Sequence, residues 1–443
     1  MEGIRLLKIY EATDPAVEEL LAAPPPDTSR VALVEEIIAA VRAQGDAALC
    51  AFTARFDRVE LDPARLQVTA EEIRAAYDEV TREFLEALRL ARERIYAFHA
   101  RQVPQSWFEA TGGIFLGQLV RPLARVGIYV PGGTAAYPSS VLMNALPARA
   151  AGVPEIVMCT PPRRDGTVPA PVLVAAAEAG VTEIYRVGGA QAVAALAYGT
   201  ESVRRVDKIV GPGNIYVTLA KQRVYGQVAV DMPAGPSEVA VVADANANPA
   251  WIAADLLAQA EHDALARCVL FTPSPELARA VAGEVERQAA VLPRREYIEE
   301  ALGCFGGIVV TRDLAEAVEL ANRFAPEHLE LFVDDPLAWL GSIENAGAVF
   351  LGPYAPVPVG DYAAGPNHVL PTGGAARFAS ALGTEAFVKR INLTGMNAAG
   401  LAALADAVVT LAETEGLTAH AAAVRARMAR REREGRCDRK SKP

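Results

Sequence analysis

Residues 126–159 read VGIYVPGGTAAYPSSVLMNALPARAAGVPEIVMC, and this stretch decides the fold. It opens with a β-branched run, Val126 to Val130, passes through a Pro-Gly turn into an Ala-rich segment of helical character, and closes with a second run, Glu155 to Cys159. A strand, a helix and a strand in this order form a βαβ unit, in which the two strands lie parallel. The stretch therefore predicts an α/β protein.

The same alternation continues on the C-terminal side of this unit. Short apolar runs separated by helical stretches follow in two series, so we expect two α/β modules with parallel sheets. The further strand candidates are Glu183 to Val187 and Lys208 to Val210 in the first series, and Val239 to Val242, Cys268 to Thr272, Ile308 to Thr311, His328 to Phe332 and Ala348 to Leu351 in the second.

Helical segments flank the two modules. Apolar residues at helical spacing predict helices over Arg30 to Gly45 and Ala70 to Arg101, so the first hundred residues form a mainly helical lead-in. A segment dense in Gly and Pro, Gly352 to Gly374, is too long for an ordinary connection and is more typical of a functional loop. After it, an Ala-rich region predicts further helix to about Arg433.

Composition restricts the class of function. The 443 residues, 51% of them apolar and 22% charged, fit a globular protein of roughly three domains. The net charge of −11 disfavours binding to nucleic acid or an anionic membrane. The absence of a signal peptide and of an apolar run of ~20 residues argues against export and membrane insertion. Scattered cysteines without CxxC spacing favour a cytoplasmic setting, with small molecules or protein chains as partners.

Scarce histidines indicate a candidate metal site. Four of the five lie in polar or Gly/Pro-rich surroundings, and His99 is left on a charged helix. Gln259 and His262 lie three residues apart, so on a helix their side chains share one face and could reach one ion. Taken alone, such a pair more often marks a solvent-facing helix end, because a zinc site needs about four ligands. Asp361 and His420 are the candidates for the other two.

A second candidate site is the dipeptide Glu327–His328 in RFAPEHLEL. Pro326 disfavours helix before it, so the pair stands at the head of an apolar strand, where an α/β sheet commonly presents its reactive groups. An adjacent Glu and His can divide acid and base roles. A strand-end pair that merely caps the sheet is equally compatible with the sequence.

Gly-rich turns follow three of the predicted strands, at Val130 to Thr134, Val187 to Gln191 and Val210 to Asn214. Each turn lets backbone N–H groups approach a phosphate or a flat cofactor. None matches GxGxxG or GxxxxGK[ST], so the turns alone do not establish nucleotide binding and also fit plain turns.

Together these segments resemble the histidinol dehydrogenase family over nearly the whole chain. The stretches that carry the resemblance are residues 126–153, VGGAQAVAALAYGTE (187–201), KIVGPGNIYVTLAKQRVYG (208–226), DMPAGPSEV (231–239), LLAQAEHD (256–263), FAPEHLEL (324–331), GDYAAGPNHVLPTGG (360–374) and EGLTAH (415–420). The resemblance implies a zinc- and NAD-dependent enzyme. Such an enzyme oxidises L-histidinol through L-histidinaldehyde to L-histidine with two NAD⁺, at the end of histidine biosynthesis.

The resemblance also implies an architecture of two incomplete Rossmann-like domains, with helical terminal segments that build a homodimer with shared active sites. The expected bounds are 1–25 for an N-terminal helical segment, 26–128 with 238–382 for the domain that carries the zinc and catalytic residues, 129–237 for the NAD-binding domain, and 383–443 for the C-terminal dimerisation segment.

The resemblance assigns one zinc ion and a catalytic pair to each subunit. The implied ligands are Gln259, His262, Asp361 and His420, the last contributed by the partner subunit. Glu327 and His328 would be the catalytic pair, His328 accepting the hydroxyl proton and Glu327 activating the water that hydrates the aldehyde.

Substrate and cofactor positions follow from the same resemblance. L-Histidinol would contact the zinc ligands and His328, together with Ser237, His368 and Glu415. NAD would contact Tyr129, Gln191 and Asn214.

The main alternative is a paralogous zinc- and NAD-dependent dehydrogenase of another small alcohol, such as a sulfonated diol. Ser237, His368 and Glu415, which would contact the imidazole and amine end of histidinol, count against it. A non-catalytic zinc- or metabolite-binding protein of this fold would be expected to lack Glu327 or His328. A purely structural α/β protein would leave the Gly/Pro-rich segment without a purpose.

Overall fold

The computed structural model describes residues 6–23, 28–132, 136–232 and 235–440, with side chains described as far as residue 429. Internal contacts divide the chain into two units. We call Met1–Val103 with Leu123–Phe387 the main unit, and Pro104–Pro122 with Val388–Pro443 the hairpin unit.

Every strand predicted from the sequence is present, and the predicted α/β class with parallel sheets is confirmed. In chain order the strands are β1 (Ile9–Glu11), β2 (Trp107–Thr111), β3 (Ile114–Pro122), β4 (Arg125–Tyr129), β5 (Glu155–Cys159), β6 (Glu183–Tyr185), β7 (Lys208–Val210), β8 (Ala229–Val230), β9 (Glu238–Ala243), β10 (Arg267–Thr272), β11 (Gly306–Val310), β12 (His328–Phe332), β13 (Ala348–Leu351) and β14 (Val388–Met396).

Helices separate these strands and flank them. They are α1 (Ala16–Leu21), α2 (Val31–Gln44), α3 (Asp46–Phe52), α4 (Ala70–Glu79), α5 (Arg82–Ala100), α6 (Pro138–Ala150), α7 (Ala170–Ala179), α8 (Gly189–Tyr198), α9 (Ile215–Val224), α10 (Pro249–Ala260), α11 (Pro275–Ala289), α12 (Arg295–Phe305), α13 (Leu314–Phe324), α14 (Val357–Tyr362), α15 (Ala398–Thr414) and α16 (Thr418–Lys440).

One parallel sheet of the main unit, which we call the β9 sheet, has the strand order β1-β11-β10-β9-β12-β13. Both of its faces are buried. Val239 and Val241 of β9 pack with α10 and α11, whereas Ala240 and Val242 pack with α13. Burial on both faces explains why these strands read as continuous apolar runs rather than as alternating ones.

The second parallel sheet of the main unit, the β4 sheet, has the order β6-β5-β4-β7-β8. Its core includes Val34, Ile37 and Val41 of α2. The bounds implied by the resemblance group residues 26–128 with the module of the β9 sheet, and they stay a prediction. The spacing of apolar residues shows that a helix has a buried face, but it does not show which of two sheets that face covers.

The predicted helix over Ala70 to Arg101 is two helices, α4 and α5. Val80 is extended between them, with φ −99° and ψ 148°. The hydroxyl of Thr81 accepts a hydrogen bond from the Phe84 N–H and starts α5. A Thr at this position satisfies a backbone donor that a helix start leaves without a partner, so a second helix can begin here.

The hairpin unit contains an antiparallel sheet, of order β14-β3-β2; the sequence analysis predicted helix over the residues of β14 and no element over those of β2 and β3. β2 and β3 are joined at Gly112 and Gly113, which have φ of 61° and 83°. Two glycines in this conformation form the tight turn typical of a β-hairpin, and the Gly-Gly pair is the signal that could have predicted it. The helices α15 and α16 complete the unit.

Candidate active site

Glu327 and His328 lie at the amino edge of the β9 sheet. His328 is the first residue of β12, and in the sheet it stands opposite Val239, the second residue of β9. The His328 Nδ1 is 2.9 Å from the carbonyl oxygen of Glu238, and the Glu238 N–H donates to Glu327 Oε2 at 3.0 Å. The main chain of one residue therefore orients both members of the pair.

Glu238 is itself held in place. It is the first residue of β9, and its buried carboxylate accepts a hydrogen bond from Arg267 at 2.9 Å. The Arg267 guanidinium also donates to the carbonyls of Leu20 and Ala22. The sequence analysis did not single out Glu238. The only available signal was an acidic residue at the head of an otherwise apolar strand.

Asp361 and His368 approach the pair from the Gly/Pro-rich segment. Asp361, in the last turn of α14, has its Oδ1 3.8 Å from His328 Nε2, an ion-pair distance longer than a hydrogen bond. The His368 Nδ1 is 2.9 Å from the Asp361 carbonyl oxygen, and its Nε2 is 3.5 Å from the hydroxyl of Ser140. Because carbonyl oxygens only accept, Nδ1 carries the hydrogen in both His328 and His368.

Burial and neighbouring charges change the acidity of these groups. Burial raises the pKa of Glu327 to about 7, against the opposing effect of His328. Burial favours neutral His328, yet the carboxylates of Glu327 and Asp361 raise its pKa to about 9. Burial alone would raise the pKa of Asp361, but His328, His368 and His262 around it hold it below the usual range. The site thus combines an ionised carboxylate with a carboxyl group that titrates near neutrality.

The two predicted helix-borne ligands lie at the end of α10. Gln259 is buried in its last turn, and the His262 N–H bonds to the Gln259 carbonyl at 3.2 Å. His262 acts electrostatically on Asp361, so Asp361 and His262 belong to one charge cluster. Among the residues that the structure describes, no group of three His, Cys, Asp or Glu side chains is arranged to hold a metal ion.

Ser237, Glu415 and His420 complete the set predicted from the sequence. Ser237 directly precedes β9 and its carbonyl bonds to the Arg267 N–H, so it belongs to the same sheet edge as Glu238. Glu415 and His420 lie in the hairpin unit, at the end of α15 and within α16, and both are exposed.

A buried carboxyl pair lies beside this edge and was missed by the sequence analysis. Glu330 follows His328 by two residues on β12 and so projects from the same face of the strand. Its Oε1 accepts the N–H of Val357, the first residue of α14, at 3.1 Å. Burial, and then the charge of Asp255, raises the pKa of Glu330 to about 8, and burial raises the pKa of Asp255 to about 6. The signal was a Glu inside an apolar strand.

The predicted NAD contacts follow strands of the β4 sheet at its carboxyl edge. Tyr129 ends β4 and its hydroxyl accepts the Gly189 N–H at 3.1 Å. Gln191 is buried in the first turn of α8, and the Asn214 side chain caps the start of α9. β4 and β7 are neighbours, and the strand order runs outward from them in both directions. Such a switch point is where open α/β sheets bind ligands.

Close packing accounts for several glycines in the predicted turns. A β-carbon on Gly132 or Gly188 would lie against Pro161, and one on Gly211, at φ +116°, would collide with the carbonyl of Tyr129. Residues 133 and 134, in the first of these turns, lie outside the described residues. The glycines therefore bring the turns close to one another, whether or not a phosphate also approaches them.

A buried ion pair holds the turn at Gly211. The Asp231 carboxylate accepts the Gly211 N–H at 2.6 Å, and the Lys221 ammonium donates to the Gly211 carbonyl at 2.9 Å. Lys221 and Asp231 also contact each other. The N–H and the carbonyl of Gly211, in the turn that follows β7, are thus both held by buried charged side chains.

Within the described residues, no helix combines the length and the apolar character needed to cross a membrane. The cysteines whose side chains are described, Cys50, Cys159, Cys268 and Cys304, are all free thiols.

Comparisons with known proteins agree with one another. A family model described as histidinol dehydrogenase matches residues 26–428. A histidinol dehydrogenase of Moorella thermoacetica is 61% identical over 397 residues, which cover 89% of this chain and 94% of the relative. One of Synechococcus sp. is 55% identical and covers 90% and 92%. The crystal structure of histidinol dehydrogenase from Elizabethkingia anophelis is 36% identical, covers 97% of this chain and 99% of its own, and superposes with a TM-score of 0.92.

Proposed function

The chain belongs to the histidinol dehydrogenase family, and from this premise we propose how its residues carry out the reaction. The protein is an NAD-dependent oxidoreductase of histidine biosynthesis. Oxidation of L-histidinol to L-histidine removes two hydride ions and adds the oxygen of one water molecule. Two NAD⁺ are therefore consumed per L-histidinol, with L-histidinaldehyde between the two steps.

One observation carries the proposed roles: the buried pair Glu327–His328 is oriented by the main chain of Glu238. With its Nδ1–H directed at a carbonyl, the neutral ring of His328 presents Nε2 as its basic nitrogen; since its pKa is raised to about 9, the ring must first lose the proton on Nε2 to act as a base at neutral pH. This atom is buried and makes no hydrogen bond to the residues that the structure describes. In the first step Nε2 accepts the hydroxyl proton of L-histidinol while hydride passes from the carbinol carbon to NAD⁺.

Glu327 acts in the second step. A carboxyl group whose pKa burial has raised to about 7 is poised between its two protonation states at neutral pH. As a carboxylate it removes a proton from the water that adds to the aldehyde carbon. The hydrate then gives its hydride to a second NAD⁺ and becomes the carboxylic acid.

The donor set fits a zinc ion. Asp361 is ionised among three imidazoles, and the amide of Gln259 and the ring of His262 supply the oxygen and nitrogen donors that Zn²⁺ accepts. We propose one ion per subunit, held by Gln259, His262, Asp361 and His420 of the partner subunit. When bound, the ion supplies a positive charge that fixes the imidazole and amine of the substrate. Ser237, His368 and Glu415 are the other proposed substrate contacts.

The proposed NAD contacts are Tyr129, Gln191 and Asn214. Their support is the position of Tyr129 and Asn214 at the switch point between β4 and β7. Hydride transfer needs the nicotinamide in a fixed position relative to His328. The carboxyl edge of the β4 sheet, where Lys221 and Asp231 hold the turn at Gly211, offers a rigid site of this kind.

We propose a homodimer with shared active sites. Leu404, Val408 and Leu411 of α15 follow helical spacing and are 39%, 41% and 64% exposed, which forms one apolar stripe. A second copy of the chain would cover such a stripe, and Glu415 and His420, both exposed, follow it directly.

The free thiols support the proposed cytoplasmic setting.

The test is the amount of NADH formed by the purified enzyme with limiting L-histidinol. We expect two NADH per L-histidinol, loss of activity after chelation and recovery with Zn²⁺. A panel of other small alcohols, including a sulfonated diol, serves as the control. Zinc-dependent NADH formation from one of these and none from L-histidinol would instead assign the chain to a paralogous alcohol.

A further inference from the structure

His99 is a buried polar residue to which the proposed chemistry gives no role. It lies in the last turn of α5 and has no exposed surface. Its Nδ1 is 2.7 Å from Gln102 Oε1, and its Nε2 is 3.2 Å from Asn367 Nδ2. Both ring nitrogens are therefore engaged, and burial lowers the pKa of His99, which favours the neutral ring.

The neighbours of Asn367 fix the tautomer of His99. The Asn367 Nδ2 donates to the carbonyl of Met143 at 2.7 Å, and its Oδ1 accepts the Val369 N–H at 2.8 Å. These two backbone partners determine which end of the amide carries hydrogens, and that end faces His99. Because the amide nitrogen donates, His99 Nε2 accepts, and the ring hydrogen lies on Nδ1 toward Gln102.

Asn367 in turn fixes the main chain around His368. It precedes His368 directly, and its side chain binds the N–H of Val369 on the other side. His368 contacts Ser140 of α6, and Asn367 contacts Met143 of the same helix, one turn later. The placement of the His368 ring thus depends on the amide of Asn367, every polar atom of which has a partner.

α5 holds the same segment at two further points. The Arg94 Nε donates to the carbonyl of Ala363 at 2.8 Å. Gly365, at φ +124°, packs so closely on α5 that a β-carbon would lie 3.1 Å from the Arg94 carbonyl oxygen and 3.3 Å from Phe98 Cβ. One end of α5 therefore lies along the chain between Asp361 and His368.

We propose that His99 is a positioning residue for His368. By accepting a hydrogen bond from Asn367, it fixes residues 363–369, which carry His368 and begin two residues after Asp361. The proposal rests on the proposed function, since it takes His368 as a substrate contact. An apolar side chain in place of His99 would leave a buried amide N–H without an acceptor, and the amide would turn toward another partner.

Three variants test the proposal through steady-state kinetics. His99→Leu removes the acceptor, His99→Gln replaces it with an amide oxygen on a side chain long enough to reach Asn367, and Arg101→Gln, the control, changes an exposed side chain at the same end of α5. We expect H99L to raise the KM for L-histidinol about tenfold or more while the KM for NAD⁺ stays within about twofold. H99Q and R101Q should stay within about threefold of the wild type for both.

The proposal is overturned if H99L leaves the KM for L-histidinol unchanged, if both KM values rise together, or if H99Q is as impaired as H99L. His368→Ala separates it from the proposed function. If H368A leaves the KM for L-histidinol unchanged, the substrate contact itself fails. If H368A raises it and folded H99L does not, only the positioning role fails.

A measurement on the unaltered enzyme covers the case in which H99L does not fold. The chain has five histidines, so ¹⁵N labelling of histidine gives a spectrum simple enough to assign, with H99Q identifying the His99 signals. We expect His99 as the neutral Nδ1–H tautomer at pH 7. An Nε2–H tautomer would contradict the hydrogen bond from Asn367.

Discussion

The two parallel sheets of the main unit place their proposed functional residues at opposite edges. In the β4 sheet, Tyr129 ends a strand and Asn214 follows one, as the carboxyl-edge rule for open α/β sheets predicts. In the β9 sheet, Glu238 and His328 each begin a strand, so the proposed chemistry lies at the amino edge. The rationale used for Glu327–His328 in the sequence analysis was therefore wrong for this sheet, although the pair itself does stand at the head of a strand.

The difference shows how each edge is built. At the carboxyl edge of the β4 sheet, glycines and a buried ion pair shape the backbone, as the close approach of the proposed flat cofactor would require. At the amino edge of the β9 sheet, backbone groups orient acidic and basic side chains, and burial shifts their pKa values. The carboxyl edge of the β4 sheet is thus defined by the shape of its backbone, and the amino edge of the β9 sheet by the charge of its side chains.

The largest expected effect comes from removing a charge at the amino edge of the β9 sheet while the carboxyl edge of the β4 sheet stays unaltered. Glu327→Gln should lower the rate of L-histidinaldehyde oxidation about 10²- to 10⁴-fold, because the water loses its base. The KM for NAD⁺ should hold within about twofold, and NADH-dependent reduction of the aldehyde should fall by less than about tenfold. Stopped-flow measurement of each half-reaction checks this. Equal loss in both directions would mean that Glu327 does not act on water.

The next prediction concerns the amino edge of the β9 sheet and tests whether its proposed active site is completed by His420 of the partner subunit. His328→Asn and His420→Asn should each be nearly inactive, but a reassembled equal mixture should regain about a quarter of the wild-type activity. Half of the dimers would be hybrids, each with one intact site. A mixture of His328→Asn with Glu327→Gln is the control and should regain nothing, since both changes fall on the same subunit's part of the site. No recovery in the first mixture would contradict the shared site.

A third prediction disturbs the carboxyl edge instead. Gly211→Ala places a β-carbon against the Tyr129 carbonyl at a positive φ, and we expect a loss of about 2 to 4 kcal/mol in stability and a raised KM for NAD⁺. Gly226→Ala is the matched control, because its φ is +97° but its β-carbon would meet nothing within 4 Å. Urea unfolding and NAD⁺ titration check the difference. If the two variants lost the same stability, the contact with the Tyr129 carbonyl would not be the cause of the loss.

The smallest expected effect concerns the carboxyl pair beneath the amino edge. Burial, and then Asp255, raises the pKa of Glu330 to about 8. A carboxyl group whose pKa is raised on folding favours the folded state below its unfolded pKa and loses that contribution as pH rises toward the folded value. From about pH 5 to pH 8 the wild type should therefore lose at least about 1 kcal/mol relative to Glu330→Gln, since one pKa unit is about 1.4 kcal/mol.

Glu330→Gln keeps an oxygen that can accept the Val357 N–H, so the start of α14 should hold. Urea unfolding of both proteins at several pH values measures the difference. Exposed Glu83→Gln serves as the control and should run parallel to the wild type. If the free energies of unfolding of Glu330→Gln and the wild type changed with pH in parallel, Glu330 would be ionised in the folded protein without a loss of stability.

Nine strands of the two parallel sheets could be predicted because each is a short apolar run between turn residues, whereas the edge strands β1 and β8, of three and two residues, were missed. The sheet in the hairpin unit was missed, since its strands are almost without buried residues and only Gly112–Gly113 marked the turn. The proposed site residues came from the resemblance, and the Glu–His pair also from its position at the head of a strand. The orienting role of Glu238 depends on its main chain, and the link from His99 to Asn367 spans 268 residues. Neither can be read from side-chain identity along one segment.

The connection between the two sheets sets a limit on the catalytic geometry. Asp231, which fixes the turn at Gly211, and Glu238, which orients His328, are seven residues apart in the chain. Seven residues span at most about 25 Å even when fully extended. The end of β8, at the carboxyl edge of one sheet, and the start of β9, at the amino edge of the other, therefore lie within this distance of each other. Covalent length alone therefore keeps the turn beside the proposed NAD contacts and the residue that orients the proposed proton acceptor within about 25 Å of each other.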